Sequence, residues 1–227
     1  MTEYNPHSTT TLGILVAMTA TTGLVDAVSF LALGHIFTAN MTGNVVFLAF
    51  AFAGTPGVSI GRSFLALLCF LVGAVLGGRL MRGSKPARHA QQALWIEAAL
   101  LLVATATSSG VRSADDHTHL LRQSTIVCTA VAMGIRNAFV RKLAVPDLTT
   151  TVLTLTITGL AAESTLAGGQ NPLWVRRSAA ILAMFAGATL GTLLLRHSVA
   201  LPLGVGCSII VGCALAARHA ESPARAE

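Results

Sequence analysis

The sequence predicts an all-α, polytopic membrane bundle, and three observations carry that prediction. Hydrophobic residues make up 53% of the 227 positions and charged residues only 11%, against about 25% charged in a soluble domain. The apolar residues fall into runs close to the ~20 that a spanning helix needs. The 15 Lys and Arg, against 9 Asp and Glu, sit in short clusters between those runs, as topology signals do. They form no continuous stripe, so no nucleic-acid partner is expected. The 21 glycines suit helices that pack through small side chains. Residues 1–227 read as a single membrane domain with polar tails at 1–11 and 218–227.

The first span is 12–34, with Asp26 as its one intruder. Segment 1–11 has no Lys or Arg, so it lacks the basic start of a secretory leader, and this run is expected to be retained. A second span, 63–78, is extended by Arg79 and Leu80. A third, 93–107, is shorter; its Glu97 follows Trp95 close to a linker and is expected at the interface. The fourth, 124–140, carries Arg136 and Asn137 near its end, while 178–195 and 199–217 hold no charge. Two further segments are awkward as full crossings: 42–54, preceded by the polar run 35–40, and 149–158, with six threonines in ten residues. Charged linkers lie at 79–88, 111–119 and 167–177.

The chain also predicts an internal duplication, 12–110 against 120–217. Gly23-Leu-Val-Asp26 aligns with Gly134-Ile-Arg-Asn137 at a spacing of 111, and the Thr42 region with Thr154 at 112. Arg62-Ser63 matches Arg177-Ser178, and Gly73 with Gly77 matches Gly187 with Gly191 at 114. If both short segments cross, the halves are parallel four-span units; if neither does, they are inverted three-span units. Eight spans split the basic residues eight against seven, whereas six spans put eleven on one side and four on the other. The positive-inside rule therefore prefers three plus three, with both short segments re-entrant or broken inside protein.

Paired broken segments at matching repeat positions point to a transporter site. The candidate substrate ligands are Thr38, Asn40, Thr42, Gly43 and Asn44 on one side and Thr150, Thr151 and Thr154 on the other, with Asp26 and Asn137. A helix starting near Thr42 offers unpaired N–H groups to an anion; equally, Asn40 or Thr42 caps that helix or the threonines bond its own carbonyls. An ionisable group within a span costs ~2.5–3.5 kcal/mol on insertion scales and normally has a partner. Asp26 is expected either to pair with Arg136 or to carry a proton in a coupled cycle. Glu163 ends the threonine-rich segment, and His35 is expected at a span end. Gly73, Gly77, Gly78, Gly187 and Gly191 read as packing stripes.

Cys69, Cys128, Cys207 and Cys213 lie in apolar runs without CxxC or His spacing; they predict no disulfide, no metal and no cofactor. Without HExxH, GxSxG or a Walker loop, no catalytic residue is proposed and enzyme activity ranks last.

The blocks Gly23-Leu-Val-Asp-Ala-Val-Ser-Phe-Leu and Phe37-Thr-Ala-Asn-Met-Thr-Gly-Asn44 resemble the YoaK family of bacterial membrane proteins, from about 12 to 217. The Met-Thr-Gly-Asn ending is the most specific part, and Val152-Leu-Thr154-Leu departs from a second copy of it. The resemblance implies a multi-pass protein of the bacterial plasma membrane and supplies no substrate. The function expected is a small-solute transporter or permease with its site between the repeats. The rival is a non-transporting scaffold or assembly factor acting through glycine-rich faces. Expected partners are the bilayer and a small solute, with self-association left open. Asp26 and Thr42 lining one central cavity favours transport; dry packing or lipid exposure favours the scaffold.

Overall fold

The computed structural model describes residues 9–82, 86–111, 116–143 and 153–221. All regular structure among them is helical: α1 (Thr9–Leu31), α2 (Met41–Phe52), α3 (Ile60–Leu80), α4 (Pro86–Ser108), α5 (Asp116–Leu143), α6 (Leu153–Ala162), α7 (Trp174–Leu195) and α8 (Ala200–Glu221), with a 3₁₀ turn at Thr165–Ala167. Five helices have the length and apolarity to cross a membrane: α1, α3, α7, Arg88–Ser108 of α4 and Ala200–Arg218 of α8. The expected fourth span, 124–140, lies in α5, whose 28 residues give ample length but whose apolar stretch is diluted by Gln123, Arg136 and Asn137.

α2 and α6 have 12 and 10 residues. At 1.5 Å rise per residue they reach roughly 18 and 15 Å, about half the ~30 Å hydrocarbon thickness. The directions of their neighbours agree. α1 meets α7 in the same sense, Gly187 against Ala20 and Gly191 against Leu24 and Ala27; α3 likewise meets α5, Gly73 against Val131 and Gly77 against Ile135. α4 and α8 run in opposite senses: Cys207 Sγ donates to the Ala98 carbonyl at 3.3 Å, while Thr105 lies by Gly204. α4 also opposes α5, through Glu97 with Arg136 and Thr107 with Thr125. α8 opposes α1, since Gly206 faces Thr21 and Cys213 faces the Ile14 carbonyl. Hence α1, α4 and α7 point one way and α3, α5 and α8 the other. The chain reverses from α1 to α3 and from α5 to α7, so neither short helix adds a crossing.

Burial follows a membrane pattern. The face of α3 turned to α5 is small, Ser63, Ala66, Gly73 and Gly77, while Phe64, Leu68, Leu71, Val72, Val75 and Leu76 stand exposed. α7 repeats this with Ala180, Gly187 and Gly191 inward and Leu182, Phe185, Leu190 and Leu193 outward. Large apolar groups facing out are costly in water and neutral in lipid. α1 and α5 form the enclosed centre. Their hydroxyls are satisfied within the helix, as where Thr19, Thr22 and Thr129 donate to the Leu15, Met18 and Thr125 carbonyls, the usual solution for such side chains away from water.

Candidate functional site

The enclosed centre holds three ionisable side chains from three helices. Arg136 on α5 is 0% exposed and Glu97 on α4 is 1% exposed, and the two form an ion pair through Nη2 and Oε1. Arg136 Nη1 donates to the Met18 carbonyl at 2.7 Å and to Thr22 Oγ1 at 2.8 Å, both on α1. One guanidinium therefore ties α1, α4 and α5 together. Planar, permanently charged Arg suits this task because its forked donors can serve several acceptors at once.

Asp26 follows Thr22 by four residues and so lies on the same face of α1, one turn away. It is 6% exposed. The Ala39 main chain hydrogen-bonds its carboxyl group, and Arg136 is near enough for its charge to act on it. Oδ1 of Asp26 has no hydrogen-bond partner. The expected direct Asp26–Arg136 pair is thus corrected: the direct partner is Glu97, and Asp26 is the third member. Glu97 is not interfacial as the sequence suggests. The helix starts at Pro86 rather than near 93, which moves Glu97 from a helix end to its middle.

The segment between α1 and α2 covers Asp26. His35 adopts φ 56° just beyond α1. Phe30, Phe37 and Phe47 stack, with centroids 5.3 Å apart for the first pair and 5.7 Å for Phe37 with Phe47. Asn44 is buried and holds the Phe37 main chain at both ends: its Oδ1 accepts the Phe37 N–H at 2.8 Å, and its Nδ2 donates to the Phe37 carbonyl. Asn40 caps α2 by accepting from the Gly43 N–H. A Cβ at Gly43 would stand 2.7 Å from the Phe37 ring, so glycine there lets the ring lie on α2. Thr38 is buried with its hydroxyl unpartnered.

The sequence-predicted ligands therefore do not gather. Asp26 and Thr38 lie inside; Asn40, Gly43 and Asn44 build the cover; Thr42 and Thr154 are exposed. Asn137 donates to the Met133 carbonyl of its own helix at 2.8 Å. Thr150 and Thr151 lie outside the described residues. Thr156 is the buried residue of α6 as Asn44 is of α2, a position the sequence reading passed over. Glu163 pairs with buried Arg177 at 2.9 Å, and that guanidinium also donates to the Gly159 carbonyl at 2.7 Å, pinning α6 to α7. A separate open groove of about 660 Å³ lies between α4 and α8, lined by Thr105, Ser198, Gly204 and Ser208 among others; it does not reach Asp26. Among the described residues no group of three His, Cys, Asp or Glu could hold a metal ion.

A family described as "Protein of unknown function (DUF1275)" matches residues 14–216. The chain belongs to this YoaK-like family. A similar member is the UPF0700 transmembrane protein YoaK of Bacillus subtilis (strain 168), 34% identical over 158 residues, which cover 66% of this chain and 65% of that protein. No solved structure matches. The family membership and the apolar helices together make this DUF1275 chain a transmembrane protein.

Proposed function

We propose that this DUF1275 chain is a small-solute transporter or permease of the bacterial plasma membrane, non-catalytic, built from two inverted three-span repeats that meet at the Asp26 cluster. The repeat reading is supported by matched contacts. Gly23 abuts Met184 and Ala188 where Gly134 abuts Phe70 and Ala74, and Gly187 abuts Ala20 where Gly73 abuts Val131. The spacings are 111 on one partner and 114 on the other throughout. The opposed senses of the corresponding helices, α1 and α5, α3 and α7, and α4 and α8, support inversion.

The observation that carries the functional reading is the cluster of Asp26, Glu97 and Arg136 in the closed centre. Intramembrane charges are costly, and an ionisable residue within a span is by default a candidate for an ion or substrate path. Asp26 and Thr42 do not share a cavity, which speaks for the scaffold. Two observations outweigh it. The cluster holds one carboxylate more than a structural pair requires. Of the glycines in the predicted stripes, Gly73, Gly77, Gly187 and Gly191 are spent on internal contacts, which leaves Gly78 alone among them open to a partner.

The test is uptake by vesicles containing the purified protein, with a panel of radiolabelled amino acids, organic acids, sugars and inorganic ions, under an imposed pH gradient. Uptake above empty vesicles that falls at least tenfold in Asp26→Asn supports the reading. Uptake equal to empty vesicles across the panel removes it.

A further inference from the structure

Two carboxylates and one guanidinium leave the cluster with one surplus negative charge, in a place where a net charge is expensive. Glu97 and Arg136 neutralise each other by direct contact. The surplus falls on Asp26, whose carboxyl accepts from the Ala39 main chain and keeps Oδ1 bare. The residue before Ala39, Thr38, is fully buried and its hydroxyl is likewise unpartnered. Oδ1 and the Thr38 hydroxyl are thus each bare, and no hydrogen bond joins them.

We infer that Asp26 reversibly binds a proton at Oδ1, with the Glu97–Arg136 pair as fixed positioning residues. This deepens the transport reading and rests on it only for the purpose the proton serves. Binding moves one proton from water to Oδ1, forming an O–H bond that breaks on release; no electrons change hands. A sodium ion is the competing occupant, and it wants several oxygen ligands, typically about six for a hard cation. One bare carboxylate oxygen falls well short.

The other titratable groups are placed so as to leave Asp26 distinct. α5 presents Arg136, and α4 presents Glu97 behind it. α7 meets Leu24 and Ala27 through Gly191. On α8, Cys207 faces the Ala98 carbonyl and Cys213 the Ile14 carbonyl. On the covering segment, His35 stacks edge-on against Phe30, with centroids 5.2 Å apart, and the guanidinium of Arg62 on α3 lies against Gly34. The cover, held by Asn44 and the phenylalanine stack, bears on Asp26 through Ala39.

The experiment is infrared difference spectroscopy of the full chain in lipid vesicles, acidic minus alkaline, in H₂O and D₂O. The expected result is a deuterium-sensitive carboxylic C=O band in the wild type, present on the acidic side, lost on the alkaline side and missing from Asp26→Asn. In Asp26→Glu the band returns at a displaced frequency, which carries the test if the Asn variant does not fold. A band that survives in Asp26→Asn, a wild type without such a band, or a band abolished by sodium at constant pH each overturns the proposal. An intact Asp26 band in a protein that moves no solute removes the transport reading and leaves the proton site standing.

Discussion

Adding one methyl group at Gly73 and one at Gly78, five residues apart on α3, should have opposite consequences. A Cβ at Gly73 runs into the main chain of Val131, its carbonyl oxygen first and its carbonyl carbon at 2.9 Å, whereas a Cβ at Gly78 meets nothing within 4 Å. The obstacle is backbone, so no rotamer change relieves it and α3 must move away from α5. Forcing a methyl group into a packed interface costs about 1–3 kcal/mol. Ala raises intrinsic helix preference at both sites by about 1 kcal/mol or less, so comparing the two variants cancels that gain. Gly73→Ala should therefore be about 1–3 kcal/mol less stable than Gly78→Ala. At roughly 2–4 °C per kcal/mol for a chain of this size, its thermal midpoint in detergent should be some 2–12 °C lower. Gly187→Ala should match it, since its Cβ meets the Ala20 main chain, with the carbonyl carbon at 2.8 Å. Equal midpoints for Gly73→Ala and Gly78→Ala would refute the parallel, backbone-to-backbone packing of α3 on α5.

Glu97→Ala leaves Arg136 without its direct counter-charge in a fully buried site. Breaking such a pair costs about 3–5 kcal/mol, and the double change Glu97→Leu with Arg136→Met should recover most of the lost midpoint. A single variant as stable as the wild type would sink the pairing. Asn44→Ala strands the N–H and carbonyl of Phe37 at about 1–3 kcal/mol for each unsatisfied group; limited proteolysis should then cut between residues 32 and 59, and a resistant variant would mean that Asn44 does not hold the cover. Topology is read by Pro56→Cys and Leu166→Cys in a background lacking the four native cysteines, both positions being exposed. An impermeant maleimide should label Pro56→Cys from outside the cell and Leu166→Cys only after lysis; labelling from one and the same side would overturn the inverted arrangement.

The helices themselves were largely legible, because an apolar run of spanning length has few other solutions. The expected starts at 63, 93 and 178 fall three to seven residues inside the observed ones at Ile60, Pro86 and Trp174, since amphipathic first turns carry polar residues that a hydropathy reading discards. That small error had one large consequence. His89, Gln91 and Gln92 break the apolar run ahead of Glu97, so Glu97 looked terminal when it stands mid-helix. The partner of Arg136 was illegible for a related reason. Helix-face arguments place residues along one helix, and which of two carboxylates reaches Arg136 depends on how α4 and α5 cross, a contact between residues 39 apart in sequence. Asn44 looked like a ligand because it stands at the start of a short helix matched by a second short segment, yet its amide is consumed by the Phe37 main chain.

If the halves are duplicated as proposed, matched positions are poor places for a central charge, and the reason lies in symmetry. Under the proposed duplication a residue near the twofold axis faces its own copy. An arginine kept in both halves would place a second guanidinium beside the first, an unfavourable like-charge contact in a low-dielectric centre. Arg136 in fact corresponds to Val25 and Asp26 to Asn137 at the spacing of 111, and both Val25 and Arg136 are fully buried. Positions that kept their identity, such as Gly23 with Gly134, build the frame; Thr42 and Thr154, matched in sequence, face outward. A central charge can exist in this architecture only where the two copies have diverged. The mismatched positions on the enclosed faces of α1 and α5 are therefore where a functional difference between DUF1275 proteins is to be sought.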